Sequence, residues 1–319
     1  MVEYDTHDWR SHLLDIRGSM VREIVYRVLS VVIFSVVVTV IDQYVDHNLG
    51  VEVYGHTFIG TALGLLLVFR TNAAYDRFWE GRKLWGSIIN ESRNLARVVS
   101  IHLKNDHQLA SETIRWGIAF AWSTMYQLRK ERGLGEVATE LPAEEVRLVQ
   151  ASDHPPLAVS RAISQRLLEA RDRGLITEYV MVSMDQNVQL MIDYMGACER
   201  IRNTQLPFAY MVHLRRALIA YCFTLPFALV NYFGWLTIVV VMLISYTLYG
   251  IEEIGVQIEG PFGDDENDLP LESFCQTIER NMRGVLATLD NPEAATATPA
   301  PSFLPAGASL SSPAAVPKP

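Results

Sequence analysis

The feature that most constrains this chain is a stretch of 35 residues, 217–251, without a single Asp, Glu, Lys or Arg. One helix of that length would run about 52 Å, whereas the hydrocarbon core of a bilayer is roughly 30 Å thick. Residues 231–234, Asn-Tyr-Phe-Gly, interrupt the stretch and are typical of a turn. We therefore predict two membrane-spanning helices joined by a tight turn, the first of which contains Pro226, a kink that membrane helices tolerate.

Two shorter apolar stretches lie nearer the N-terminus, at residues 28–41 and 53–69. Both are shorter than the about 18 residues that mark a membrane helix, so length alone favours buried helices of a soluble core. The flanking charges favour the membrane. Arginines precede the first stretch and follow the second, the connection at 42–57 has no Lys or Arg, and Arg215 and Arg216 precede the third stretch. This alternation predicts four spans with both termini in the cytoplasm. The predicted spans are residues 24–45, 53–76, 212–230 and 233–253.

The remaining residues divide into a polar helical body and a tail. Apolar residues recur every three to four positions, which predicts cytoplasmic helices within 77–206 and 254–289 and an all-α fold. The uncharged residues 116–128 could form a fifth span, but their length favours a buried cytoplasmic helix. We assign residues 1–289 to one domain. Residues 290–319 are rich in Pro and Ala, and we predict a disordered tail there.

Composition excludes several function classes. The formal net charge of -9 argues against binding to nucleic acid, and the three cysteines form neither a disulfide framework nor a metal pair. No HExxH, P-loop or GxSxG motif occurs, so nothing indicates an enzyme or a required cofactor. The whole net charge comes from residues 217–279, which hold nine acidic residues and no Lys or Arg.

Residues 70–86 are the most specific part of the sequence. They read Arg-Thr-Asn-Ala-Ala-Tyr-Asp-Arg-Phe-Trp-Glu-Gly-Arg-Lys-Leu-Trp-Gly. By composition alone the run is typical of a belt of aromatic and basic residues at the membrane surface. It closely resembles the signature of the bestrophin family. The signature residues are Arg70, Asn72, Tyr75, Arg77, Glu80, Gly81, Arg82 and Trp85.

Two further blocks carry the same resemblance. One is Pro-Phe-Ala-Tyr at 207–210 with Leu-Pro-Phe-Ala at 225–228, and the other runs from 250 to 270. Together the blocks extend the resemblance over roughly residues 5–288, and it is strongest for the bacterial branch. Glu252 and Glu253 lie in the block at 250–270, at the end of the fourth predicted span, and we predict that they form an ion pair with the basic belt at 70–83.

The resemblance implies a homopentameric ion channel in which the second helix of each subunit lines one central pore. Thr61, Leu65 and Phe69 recur every four residues and share one helix face, a pattern that helix packing also produces. By resemblance they match the narrow neck of the pore, although Thr61 departs from the bulky apolar residues usual there. Leu206 matches the cytoplasmic aperture; alone, it would be an ordinary apolar residue at a helix end.

The acidic residues 264–268 have two interpretations. A run of acids is usually a solvated loop. A similar run forms a calcium site in animal bestrophins, and Asp265 and Asp268 match its carboxylate ligands. Here Asn267 and Leu269 dilute the run, and bacterial relatives generally lack this regulation. Calcium binding is therefore the less favoured alternative.

The predicted function is passive conduction of small inorganic ions, with anions such as chloride favoured by the resemblance. Monovalent cations are an alternative, because the neck has no charged ring and the acidic segment would attract cations. A non-conducting membrane scaffold is a third hypothesis. The expected partners are ions, membrane lipid and further copies of the chain. The expected location is the bacterial inner membrane.

Overall fold

The computed structural model describes residues 20–45 and 49–290 of the chain. This part contains nine α-helices and two short 3₁₀ helices, Glu136–Glu140 and Gly234–Leu236, and no strand. The all-α prediction is confirmed. The α-helices are α1 Val21–Tyr44, α2 Val53–His102, α3 His107–Leu128, α4 Ala143–Ala151, α5 Pro155–Asp172, α6 Glu178–Asn203, α7 Phe208–Phe233, α8 Thr237–Glu259 and α9 Leu271–Asp290.

Three helical stretches in the described residues are long and apolar enough to cross a membrane. They are Val21–Tyr44, Val53–His102 and Phe208–Glu259. The last consists of α7 and α8, which pack against each other after the chain reverses at Gly234, where φ is +49°. A positive φ favours glycine, because it has no Cβ. The stretch therefore contains two helices, which is consistent with the four predicted spans, and α7 continues through Pro226.

Helix α2 joins the two layers of the molecule. It contains 50 residues, which corresponds to a length of about 75 Å. The prediction ends the second span at residue 76 and begins a cytoplasmic helix at 77, but no break occurs there. A helix this long exceeds the roughly 30 Å of a hydrocarbon core, and its two parts pack in different buried clusters.

The buried apolar residues form two separate clusters. The membrane cluster lies between α1, α2, α7 and α8 and consists of Ile24, Val31, Leu63, Leu67, Leu214, Leu218, Cys222, Leu225, Leu229, Val241 and Tyr249. The cytoplasmic cluster is larger and contains the lower part of α2 together with α3, α5, α6 and α9; its bulkiest members include Trp85, Trp116 and Phe120. Residues 116–128 lie inside this second cluster, so they are not a fifth span.

Helices α3 and α6 of the cytoplasmic body begin at residues whose side chains cap the helix. The Asp106 carboxylate accepts a hydrogen bond from the Leu109 N–H at 3.0 Å, and the Thr177 hydroxyl accepts one from the Val180 N–H. Such side chains satisfy backbone donors that the first helical turn leaves free. The predicted disordered tail lies almost entirely outside the described residues, as do Arg10 and Arg17 of the N-terminal basic segment.

Candidate ion pathway

The three predicted neck residues lie on one outward face of α2. Leu65 is 55% exposed and Phe69 is 58% exposed, and Thr61 is exposed as well. The opposite face, with Leu63 and Leu67, packs into the membrane cluster. Thr61 donates its hydroxyl hydrogen to the Thr57 carbonyl at 2.9 Å, so its donor is already used within the helix. Thr61 therefore differs less from the apolar residues usual at the neck than a hydroxyl with a free donor would.

The bestrophin signature divides into an outward and an inward group. Asn72 and Tyr75 continue the exposed face below Phe69. Glu80 is also exposed and forms an ion pair with Arg200 at 3.2 Å. The inward residues, Arg70, Gly81 and Trp85, are buried, and Arg77 and Arg82 are half-buried. Only the outward group extends the face that carries the predicted neck.

Arg70 and Glu252 form a buried ion pair at the boundary of the two layers. Each side chain is only 1% exposed, and Arg70 Nη1 lies 2.6 Å from Glu252 Oε1. Two further arginines reach the same carboxylate from other helices: Arg27 on α1 at 3.2 Å and Arg215 on α7 at 2.9 Å. Arg27 also contacts Glu253 at 3.0 Å. Glu252 thus ties α1, α2, α7 and α8 together.

Arg77 binds the carbonyl ends of two other helices. Its guanidinium donates to the Ile201 carbonyl at 2.6 Å, to the Thr204 carbonyl, and to the Glu259 carbonyl at 3.1 Å. These carbonyls lie at the end of α6 and the end of α8, where backbone acceptors lack intrahelical partners. A cation is also favoured there by the helix dipole. Arg77 therefore holds both helix ends beside α2.

Gly81, Arg82 and Trp85 contact the segment that follows α8. A Cβ at Gly81 would lie 2.9 Å from the Phe262 ring, so only glycine allows this approach. Trp85 packs on Phe274 with ring centroids 5.9 Å apart, and the Arg82 guanidinium lies 4.7 Å from the centroid of the same ring. These signature residues join α2 to the cytoplasmic cluster.

Leu206 lies in the short connection between α6 and α7. Its N–H donates to Glu259 Oε1 at 3.2 Å, and its side chain is half-buried. It borders a cavity of about 550 Å³ at the lower edge of the membrane layer. The charged lining residues of this cavity are Arg77, Lys130, Arg202, Arg215 and Glu259. Four of the five are basic, so the cavity favours anions.

The acidic loop at 264–268 is closed by its own hydrogen bonds. Asp268 Oδ2 accepts from the Asp265 N–H at 2.9 Å, and the Asp268 side chain is almost completely buried. Burial, supported by the negative charges of Asp265 and Asp264, raises the pKa of Asp268 to about 6. Asp264 is held by Arg129 at 2.9 Å.

This loop does not provide a calcium cage. In residues 20–45 and 49–290, no three His, Cys, Asp or Glu side chains converge as metal ligands would. Asp268 Oδ1 is buried without a hydrogen-bond partner among the described residues, but calcium prefers six to eight oxygen ligands. Calcium at Asp265 and Asp268 stays the less favoured alternative.

Comparison with known proteins identifies the family. A model of the "Bacterial/Fungal Bestrophin protein" family matches residues 1–284. The chain belongs to the bacterial and fungal bestrophins. It is 40% identical over 282 residues to the voltage-dependent anion channel-forming protein sll1024 of Synechocystis, covering 87% of this chain and 92% of that protein. It is 32% identical over 281 residues to the protein YneE of Escherichia coli K12, named in the same way, covering 88% and 92%.

A solved structure of a bacterial bestrophin homologue from Klebsiella pneumoniae has the same fold. It superimposes with a TM-score of 0.79 at 32% identity and covers 83% of this chain and 98% of that one. The relatives are named as channel-forming proteins, which agrees with the prediction that this bestrophin is not an enzyme.

The most connected residue of the site, Glu252, was predicted only in part. The prediction pairs it with the basic belt of α2, and the structure places Arg70 against it. Arg27 and Arg215 were not predicted as partners, although both lie beside cytoplasmic ends of predicted spans. The positions of these two arginines depend on how α1 and α7 pack against α8, and the residues around each arginine do not predict that packing.

Proposed function

We propose that five copies of this chain form a channel that conducts anions, chloride above all, passively through a pore lined by α2. The observation that carries the proposal is the outward face of α2. Among the described residues, neither buried cluster includes Thr61, Leu65 or Phe69. The face that they share nevertheless leads directly into the bestrophin signature, which begins at Arg70. The exposure of Thr61, Leu65 and Phe69 supports a pore position for this face, and the names of the relatives support anions.

The proposed neck selects by width and wetting. Five copies would stack a ring of hydroxyls above two rings of apolar side chains, from Leu65 and Phe69. Apolar constrictions of this kind gate by losing water, without a fixed charge. The Thr61 hydroxyl, whose hydrogen is bound to Thr57, presents only acceptor lone pairs to the pore.

The proposed aperture at Leu206 adds the charge preference. The cavity beside it is lined by four basic side chains and one acidic one. A predominantly basic lining raises the local concentration of anions. An anion approaching Leu206 from the cytoplasm would therefore meet a favourable potential.

The acidic segment provides little support for the cation alternative. Of its nine acids, six lie within ion-pair distance of an arginine in the structure. The six are Glu252, Glu253, Glu259, Asp264, Glu272 and Glu279. Each of these pairs screens the field that the sequence alone assigns to the segment. What remains without an ion pair in the described residues is the loop at 265–268.

Exposed apolar residues on the cytoplasmic body support an oligomer. Trp79 on α2 and Tyr179 and Val182 on α6 are exposed and lie outside the membrane cluster. Large exposed apolar patches on soluble parts of a protein mark contact surfaces. The number five comes from the family resemblance. We further propose an inner-membrane location, cytoplasmic termini, surrounding lipid and no required cofactor.

Current measurement on purified protein in a planar bilayer tests the proposal. Under a salt gradient, the reversal potential should have the sign of the chloride equilibrium potential. A reversal potential that follows sodium or potassium would replace anions by cations, and an absence of current would favour the scaffold hypothesis.

Two variants test the pore residues. Phe69→Ala and Leu206→Ala should increase conductance or open probability, because each removes an apolar constriction. Leu243→Ala on α8 is the matched control: Leu243 is 57% exposed, close to the value for Phe69, but lies outside the proposed pore. Unchanged currents in both pore variants would exclude these residues from the pathway.

A further inference from the structure

A second cleft opens at the cytoplasmic ends of α1, α7 and α8. It has a volume of about 320 Å³, which is within the range of small-molecule sites. We name it the inner-leaflet cleft. Its polar end is lined by Arg27, Arg215 and Glu252, and its apolar end by Leu218, Ile219 and Phe223; Ser30 and Tyr249 complete the lining. Of these residues, only Arg215 also lines the cavity beside the proposed aperture.

The lining is ordered from charged to apolar along the membrane normal. Arg27 lies near the cytoplasmic end of α1, and Arg215 near that of α7. Leu218, Ile219 and Phe223 follow Arg215 up α7, and Phe223 lies about 12 Å deeper in the membrane at 1.5 Å per residue. The cleft is therefore polar where lipid headgroups lie and apolar where acyl chains begin.

The two arginines are held in place but are not saturated. Arg215 uses Nε to bind Glu252, and Arg27 uses Nη1 to bind Glu252 and Glu253. Among the described residues, both terminal nitrogens of Arg215 and Nη2 of Arg27 have no hydrogen-bond partner. Each side chain is about half exposed. Guanidinium groups of this kind bind phosphate oxygens through paired N–H donors.

The charges in the cleft favour an anionic over a zwitterionic ligand. Of the charged residues that line the cleft, Arg27 and Arg215 are basic and Glu252 is acidic, which leaves an excess of one positive charge. Glu252 and the adjacent Glu253 both pair with arginines. The two carboxylates are already engaged by arginines, so they are poor partners for a choline group. The Ser30 hydroxyl donates to the Arg27 carbonyl at 2.7 Å, so it does not compete as a phosphate donor.

We propose that the inner-leaflet cleft binds an anionic phospholipid. Its phosphate lies between Arg27 and Arg215, and one acyl chain lies along Leu218, Ile219 and Phe223. The assignment of this lipid to the cytoplasmic leaflet rests on the proposed orientation of the protein in the membrane. The binding site itself does not depend on that orientation. Arg215 also lines the cavity beside Leu206, so the bound phosphate is one side chain away from the proposed aperture.

Lipid retention on the assembled protein tests this site. The protein is purified in detergent, exposed to an equimolar mixture of phosphatidylglycerol and phosphatidylcholine, and analysed by native mass spectrometry. The wild type should retain phosphatidylglycerol preferentially. Arg27→Gln and Arg215→Gln should each reduce that retention about fivefold, the value expected for one basic residue at an anionic lipid surface.

Arg216→Gln is the matched control. Arg216 is the next residue of α7, carries the same charge and is exposed, but does not line the cleft. It should retain as much phosphatidylglycerol as the wild type. An equal loss in Arg215→Gln and Arg216→Gln would mean diffuse surface charge and would overturn the site, as would equal retention of the two lipids by the wild type.

Two further measurements test the acyl-chain part of the site without changing either arginine. Ile219→Trp fills the apolar end without touching the arginines and should also reduce retention. Glycerol phosphate or inorganic phosphate should compete weakly, because neither has an acyl chain; competition equal to that of the lipid would make this a site for free anions and overturn the proposal. Retention is measured without current, so an absence of conduction would leave this result unaffected.

Discussion

Helix α2 is built differently on the two sides of Arg70. In the membrane half, residues 53–69, only Leu63 and Leu67 are buried within the chain. In the cytoplasmic half, residues 70–102, ten residues are buried, including Trp85, Leu95 and Val99. The cytoplasmic half obtains its packing from its own subunit, whereas the membrane half leaves most of its surface to lipid, to the pore or to neighbouring copies. The difference means that stability and conduction depend on different residues of one helix.

The largest effect is expected where this contrast is strongest, at Trp85 and Leu65. Trp85→Ala should lower the free energy of unfolding by about 3–5 kcal/mol, because it leaves a cavity beside Phe274 in the cytoplasmic cluster. Leu65→Ala should lower it by less than about 0.5 kcal/mol, as for other exposed positions, and should instead change the current. Thermal unfolding in detergent measures the first effect and bilayer recording the second. Similar destabilisation by both variants would remove the distinction between the halves.

The boundary itself should be nearly as sensitive. Glu252→Gln removes the charge that Arg27, Arg70 and Arg215 share and leaves the buried Arg70 with only the more distant Glu259, at 3.9 Å, as a counter-ion. Breaking a buried pair in this way costs about 3 kcal/mol or more. Arg70→Met should cost less, because Glu252 keeps two arginines. Both are measured by thermal unfolding, with the exposed Glu266→Gln as control. A milder effect for Glu252→Gln than for Arg70→Met would show that Glu252 does not organise the boundary.

Local patterns predicted much of this architecture. The charge-free stretch at 217–251 and the turn within it predicted two helices, and the structure has α7 and α8 there. The spacing of four between Thr61, Leu65 and Phe69 predicted one shared face. These features depend on residues that are close in the sequence, where helical geometry determines which side chains are neighbours.

Contacts between distant helices could not be predicted in the same way. Arg77 binds the carbonyl of Ile201, 124 residues away, and Arg27 binds Glu252 across 225 residues. Their partners are determined by how whole helices dock, and a backbone carbonyl has no side-chain signal in the sequence. The signature is one continuous motif in the sequence, but its residues have two different positions in the structure: Tyr75 is exposed on the outward face and Gly81 is buried against the core. Spacing alone does not separate these two roles.

A smaller, pH-dependent effect is expected only on the cytoplasmic side. Burial raises the pKa of Asp268 to about 6, above the value near 3.9 expected for an unfolded chain. The folded protein then binds this proton more tightly, so stability falls as pH rises from about 4 to 6 and stays lower above that range. Asp268→Asn should remove this dependence and stabilise the protein by up to about 3 kcal/mol at pH 8, with little change at pH 4.

The measurement is the unfolding temperature between pH 4 and pH 8. Asparagine keeps an oxygen acceptor for the Asp265 N–H, so the loop is expected to retain its shape. Glu266→Gln, an exposed neighbour, should keep the wild-type pH dependence. A parallel pH profile for wild type and Asp268→Asn would mean that folding does not raise the pKa of Asp268.

The smallest expected effects distinguish glycines along α2. A Cβ at Gly81 would lie 2.9 Å from Phe262 Cζ and 3.3 Å from Pro261 Cγ, and the Phe262 ring is only 3% exposed. Gly81→Ala should therefore cost about 1 kcal/mol from crowding in the cytoplasmic half, after the gain of about 0.5–1 kcal/mol that alanine brings to a helix.

Gly86 and Gly64 provide the comparison within the same helix. A Cβ at Gly86 would meet only Arg82 Nη1 at 3.5 Å, an ordinary contact, and one at Gly64 would meet nothing within 4 Å. Gly86→Ala should raise the unfolding temperature, because only the helical gain remains. Gly64→Ala should do the same if lipid surrounds it, and should lower oligomer stability if another copy packs against it. A rise for Gly81→Ala as large as that for Gly86→Ala would mean that the Phe262 ring yields, and that α2 is less tightly held in the cytoplasm than its burial indicates.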